Sequence, residues 1–184
     1  MLENGEDVNQ LDEDAQTAIQ VASKAGDIAI FNLLVEAGAK VDIPDGKGRT
    51  ALTEASKRGH LEVVKLLLAN GADPIRADVK DATPFHMASK KGHHEVAHLL
   101  IDAGADVLLS KANYKGYTPL HEAARKGKEE LAMRYVEMGA DVNAPDIHGN
   151  RAAILAHAFG YPELAEKLGA LNEEELAESQ KIQN

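Results

Sequence analysis

The chain has 184 residues and a formal net charge of -10, with 44% hydrophobic residues but only 4% aromatic ones, no tryptophan and no cysteine. Disulfides and thiolate metal sites are thereby excluded, no apolar run approaches the roughly 20 residues needed to span a bilayer, and the negative charge disfavours nucleic acid as a partner. Alanine and leucine must do most of the packing, which suits closely approached helices.

The opening stretch "MLENGEDVNQLDEDAQ" is acidic where a secretory leader would be basic and then apolar, so the expectation is a soluble, cytoplasmic protein. From Thr17 onward the sequence repeats. "TAIQVASKAG" at 17, "TALTEASKRG" at 50, "TPFHMASKKG" at 83, "TPLHEAARKG" at 118 and "RAAILAHAFG" at 151 line up, with starts 33, 33, 35 and 33 residues apart. A period in this range marks a stacked repeat array. Each segment leads into a second apolar stretch, such as "GHLEVVKLLLANGADP", and then a turn-rich connector.

Within a unit, Thr50, Thr83 or Thr118 is suited to cap a helix, with Pro84 and Pro119 at the first helical position. Small residues (Ala55-Ser56, Ala88-Ser89, Ala123-Ala124) allow close approach, and Gly59, Gly92 and Gly127 break the helix. The second helix carries Val63, Val64, Leu66, Leu67 and Leu68 at helical spacing. Gly71, Gly104 and Gly139 stand where a left-handed helix end is wanted, and Asp-x-x-Gly ("DGKG", "DIHG") supplies a tight turn.

The 33-residue period with Thr-Pro-Leu-His and Gly-Ala-Asp resembles the ankyrin repeat over residues 5–170 or so, whereas the tetratricopeptide pattern finds no support in these glycines. The resemblance implies an all-α solenoid of stacked helix-turn-helix pairs with β-hairpin or turn fingers along one edge. It divides one domain, 1–184, into an N-terminal half-hairpin cap (1–16), repeats at 17–49, 50–82, 83–117 and 118–150, a C-terminal capping repeat (151–171) and a polar tail with a short helix (172–184). Terminal units are expected to depart from the pattern: Ala18-Ile19-Gln20 replaces Pro-Leu-His in the first, and Arg151-Ala152-Ala153-Ile154 opens the fifth. The connector after the third repeat is two residues longer than the others, and Glu173-Glu174-Glu175 reads as solvated charge at a helix start.

"GHHEVAHLL" (92–100) contains His94-Glu95-Val96-Ala97-His98, a formal match to the zinc-peptidase pattern His-Glu-x-x-His. The repeat supplies another explanation. Glu95 shares its column with Glu62, Glu130 and Glu163, near a helix start where negative charge is favoured; the histidines replace Leu61 and Lys65 of the preceding copy. Glu122, the acid placed to be a third ligand, falls on a first helix, whereas the resemblance sets first helices on the concave side and second helices on the convex one. No metal or cofactor is therefore expected, and the metallopeptidase reading stays remote. His86 and His121 occupy the His of Thr-Pro-x-His, which the resemblance assigns to hydrogen bonds at the hairpin–helix junction. His157 has no assigned role.

Two residues before each helix-breaking glycine face the concave groove by the same resemblance: Lys24, Lys57-Arg58, Lys90-Lys91, Arg125-Lys126 and finally Ala158-Phe159. Finger positions add Lys47, Arg49, Lys80 and Lys115, so eleven of the twenty Lys and Arg residues fall on one surface. The compensating acids are expected at the N-terminal stub, on the second helices and in the tail. The expected function is a non-enzymatic, monomeric protein-interaction module binding another protein, an acidic segment being suited to the basic groove. Lys57, Arg58, Lys90, Lys91, Arg125, Lys126, Lys80 and Lys115 would supply charge, with Tyr114, Tyr117 and Phe159 as aromatic anchors. A structural or designed scaffold with no dedicated partner is the alternative.

Overall fold

The computed structural model describes residues 7–182, with backbone alone at 105–107. The helices run α1 (Ala18–Ala25), α2 (Ile28–Glu36), α3 (Ala51–Arg58), α4 (Leu61–Ala69), α5 (Pro84–Lys91), α6 (His94–Asp102), α7 (Ala105–Ser110), α8 (Pro119–Arg125), α9 (Glu129–Glu137), α10 (Ala152–Ala158), α11 (Pro162–Lys167) and α12 (Glu173–Ile182). Five antiparallel pairs result: α1 with α2, α3 with α4, α5 with α6, α8 with α9 and α10 with α11. First helices stack in series, α1 on α3, α3 on α5, α5 on α8 and α8 on α10. The chain is thus an all-α solenoid, with no strand among the described residues. None of its described helices is long and apolar enough to cross a membrane.

Each of the first four units starts on a threonine. The hydroxyls of Thr17, Thr50, Thr83 and Thr118 accept the backbone N–H three residues on, a cap worth about 1 kcal/mol. The capping residue's own N–H is taken by the side chain of Gln20, Thr53, His86 or His121. Three of these four side chains also reach the last residue of their own unit, just before the cap of the next. Gln20 Nε2 donates to the Arg49 carbonyl at 2.7 Å, His86 Nε2 to Tyr117 at 2.9 Å and His121 Nε2 to Asn150 at 3.1 Å. The junction expected for the two histidines is present, and Gln20 performs the same task. Burial drives the His86 pKa down to about 4 and lowers that of His121; both rings are neutral, as an Nδ1 acceptor requires.

First helices end at glycine for two reasons. Gly59 and Gly92 each have φ of +77°, which an L side chain disfavours. A Cβ on Gly59 would also lie 2.5 Å from the His93 ring, and one on Gly92 2.7 Å from Lys128. The residue after each glycine therefore packs onto the glycine of the preceding unit, an inter-repeat contact that spacing alone does not reveal.

The fingers are tight turns organised by one side chain. Oδ1 of Asp12, Asp45, Asp78, Asn113 and Asp146 each accepts the backbone N–H two and four residues on. Adjacent fingers are joined by single backbone hydrogen bonds, Val79 to Lys47, Tyr114 to Lys80 and Ile147 to Lys115.

The core is a continuous row of apolar side chains, including Phe31, Leu52, Leu67, Phe85, Leu100, Leu120, Leu131 and Leu155, all fully buried, each worth about 1.5–3 kcal/mol of transfer free energy. Tyr135 is the polar member of this row. Its ring meets Phe85 edge-on at 5.0 Å, and its hydroxyl lies 2.8 Å from Ser89 Oγ. Ser23 and Ser56, at the same position as Ser89 in the first and second units, are buried with no hydrogen-bond partner for Oγ.

Two expectations are corrected. Gly104 does not adopt a left-handed conformation, unlike Gly71 and Gly139. The connector of two extra residues winds instead into α7, which buries Leu108 and packs on α6 and α8. The acidic run is not wholly solvated either: Glu175 makes a two-pronged ion pair with Arg151, at 2.7 and 3.0 Å. Arg151 also donates to the carbonyls of Gly169 and Ala170. Where earlier units carry a capping threonine, this one carries the residue that fastens α12 against α10.

Candidate partner-binding groove

A groove of about 320 Å³ runs between the first helices of the third to fifth units and the fingers of the second and third. Met87 and Lys90 enter from α5, Glu122 and Arg125 from α8, Lys80, Tyr114, Lys115 and Tyr117 from the fingers, and Phe159 from the end of α10. Seven of the expected contact residues line it: Lys80, Lys90, Tyr114, Lys115, Tyr117, Arg125 and Phe159. Lys57, Arg58, Lys91 and Lys126 lie outside its lining.

The cations and rings are interleaved. The Arg125 guanidinium sits 5.5 Å from the Phe159 ring centre and 5.8 Å from that of Tyr117. Lys80 and Lys115 lie 5.6 and 5.8 Å from the centre of Tyr114. These distances are within reach of cation–π attraction. Tyr114 and Phe159 keep nearly half their surface exposed, while Tyr117 is half-buried and stacks on His121 at 5.8 Å.

Positive charge is concentrated here. The ammonium of Lys126 is held below its ordinary pKa, first by the charge of Arg125, then by partial burial and by Lys90 and Lys91. Acids do stand on the second helices and in the tail as expected, but some also enter this face. Glu122 is buried beside Arg125, which donates to its Oε2 at 2.8 Å, and Asp78 also lines the groove. Further along, Arg49 is committed to Asp45, with donors at 2.9 and 2.5 Å, and lies 2.6 Å from buried Glu54. Lys57 faces that same Glu54 at 4.0 Å. Arg49 and Lys57 are thus partly neutralised, and the free positive charge gathers toward the later repeats. Glu54 and Glu122 sit at the variable position after the Gln/Thr/His column, a register visible in the sequence as Val21, Glu54, Met87, Glu122 and Leu155.

The His94-Glu95-x-x-His98 stretch occupies the first turns of α6, away from this groove. Arg134 of α9 donates to His98 Nε2 at 3.3 Å, and Glu130 lies 3.9 Å from His94 Nδ1. A guanidinium directed at the lone pair a metal would need is a poor ligand arrangement, and Glu122 lines the other face. Among the described residues no group of three or more His, Cys, Asp or Glu is arranged to hold a metal ion. His157 Nδ1 lies 2.9 Å from Ser179 Oγ of α12, a structural contact.

The family model for ankyrin repeats (three copies) matches residues 1–78 and 85–175. Curated proteins offer no significant match to the chain. Ankyrin repeats are generally protein–protein interaction modules and typically non-enzymatic. With the period, the threonine caps, the stacked helix pairs and this match in agreement, the chain belongs to the ankyrin-repeat family.

Proposed function

We propose that the protein binds another protein by receiving an acidic segment in the groove between α5, α8 and the fingers. The observation that carries this reading is Arg125 held between Tyr117 and Phe159, with Lys80 and Lys115 flanking Tyr114 and Lys90 nearby. Stacking orders these long side chains before a partner arrives, so less entropy is lost on binding. An incoming carboxylate meets fixed donors and relieves the repulsion felt by Lys126. An adjacent apolar side chain packs on the exposed rings of Tyr114 and Phe159. Glu122 and Asp78 select against a uniformly acidic strand and favour acids spaced by neutral or donor groups. The same reading makes the protein a non-enzymatic, monomeric module of the cytoplasm with no nucleic-acid partner.

A scaffold with no dedicated partner is the competing reading. The two are separated by affinity capture with the native chain and with a Lys80→Ala, Lys90→Ala, Lys115→Ala variant. Arg125 is left in place because it neutralises a buried acid. A true partner is lost from the variant, and from the native chain at high salt, while the melting temperature stays unchanged. Equal capture of the same partner by both chains refutes the groove.

A further inference from the structure

The first repeat carries a second surface, unlike the groove in both position and charge. Ile30 is 49% exposed, whereas its counterparts Val63, Val96, Leu131 and Leu164 are at most 2% exposed. Ala18 is likewise exposed where Ala51, Pro84, Pro119 and Ala152 are buried, and Leu34 is half-buried where Leu67, Leu100, Tyr135 and Leu168 are buried. In later units these positions are closed off by stacked helix pairs. Ile30 and Leu34, four residues apart on α2, share one side of that helix.

The turn at residues 7–16 shapes this surface into an open groove of about 360 Å³. Val8 and Leu11 line it from the turn, Ala18 and Val21 from α1, and Leu34 from α2. Its rim is acidic. Residues 7–23 contain Asp7, Asp12, Glu13 and Asp14 and no Lys or Arg, and Asp7 and Asp12 line the groove itself. The nearest basic residues in the sequence, Lys24 and Lys40, are not part of the lining.

We infer that this groove, together with the side of α2 that Ile30 shares with the groove-lining Leu34, docks an amphipathic α-helix of a partner protein, one whose apolar stripe is flanked by Lys and Arg. Ala18, Ile30 and Leu34 stand at positions that are buried against neighbouring helix pairs in every later unit, so a helix matches their spacing. The unbalanced acids at the rim select basic flanks. A second copy of the chain fits poorly, because an isologous pairing sets the same acids against each other.

The test uses the full chain and a labelled synthetic peptide of about 15 residues, with leucines at helical spacing and Lys/Arg flanks. A matched peptide carries Glu/Asp flanks. Fluorescence polarisation is expected to show saturable binding of the basic peptide alone, weakened by salt and by about tenfold or more in an Ile30→Glu or Val21→Glu variant. Both positions are exposed, so melting temperature is retained, and Lys90→Ala in the other groove leaves the affinity unchanged. Equal binding of both peptides, or full binding by Ile30→Glu, overturns the assignment. So does concentration-dependent dimerisation abolished by Ile30→Glu, which assigns the face to a second copy. Binding that appears only after removal of residues 1–6 overturns it in favour of that segment as occupant.

Discussion

His86 Nε2 donates to the carbonyl of Tyr117 at 2.9 Å, tying the start of the third repeat to its last residue, next to the Thr118 cap of the fourth. Its Nδ1 meanwhile accepts the N–H of Thr83, a bond that a protonated ring cannot keep. Burial accordingly lowers its pKa to about 4, against an ordinary 6.5, and lowers that of His121 as well. The unfolded chain therefore takes up protons first as pH falls. Stability from these residues is fully present above about pH 6.5 and is lost progressively as pH falls toward about 4. For His86 alone the difference corresponds to roughly 3 kcal/mol. Urea midpoints measured from pH 8 to pH 4 should be flat and then decline over that window. His86→Gln, which copies Gln20, should flatten the decline; an unchanged slope in that variant contradicts the assignment.

The second repeat lacks this link. Thr53 completes the cap on Thr50 but is too short to reach beyond it, whereas Gln20, His86 and His121 all bond onward from the same position. Thr53→His should add one hydrogen bond to the following finger and raise stability by about 1 kcal/mol. A lowered urea midpoint would mean that the space beside Thr53 is already filled.

Ser89 and Ser56 occupy equivalent places with opposite consequences. Ser89 satisfies the buried hydroxyl of Tyr135, whose pKa burial raises, while Ser56 Oγ has no partner. Ser89→Ala strands a polar group and should cost about 1–3 kcal/mol; Ser56→Ala removes a stranded one and should be neutral or stabilising. Chemical denaturation of the two variants side by side decides the matter, and similar losses in both would refute it.

The architecture was legible because it is written five times. Threonine caps, prolines and glycines recur at fixed offsets, so one unit could be checked against another. What occurs once was not legible. Arg151 looked like a lost cap, because its partner Glu175 lies outside the repeat pattern. Gln20 looked like a departure until its bond to Arg49 placed it with the histidines. Analogy with Gly71 suggests a left-handed helix end at Gly104, but two extra residues let the chain continue into α7. Lys and Arg positions alone overstate the basic surface, because Glu54 and Glu122 point into the same face, which depends on helix orientation rather than composition.

That pairing has a measurable consequence. Arg125 provides the closest charge to buried Glu122, with Asn113 Nδ2 a weaker donor at 3.4 Å. Arg125→Ala should destabilise by about 2 kcal/mol, since it leaves a carboxylate buried without its cation. Adding Glu122→Gln should restore part of the loss by removing the charge. No recovery in the double variant, judged by urea midpoint, would show that Arg125 stabilises through its rings and not through Glu122.

Among the described residues Arg151 fastens α12 through charge on both sides. It reaches Glu175 through two nitrogens and caps the carbonyls of Gly169 and Ala170 where α11 ends. Glu175 is held below its ordinary pKa, chiefly by the hydrogen bond from Arg151. The apolar contribution of α12 is small, because Leu176 is exposed and only Ser179 is fully buried. The Arg151–Glu175 pair thus carries much of the hold on α12, beside the His157–Ser179 contact. Arg151→Ala should therefore abolish hydrogen-exchange protection over residues 173–182 while the amides of α3 to α9 keep theirs. Lys at this position should rescue only partly, since it cannot make the planar two-pronged pair. Protection of 173–182 that survives Arg151→Ala would assign the docking of α12 to the His157–Ser179 contact instead.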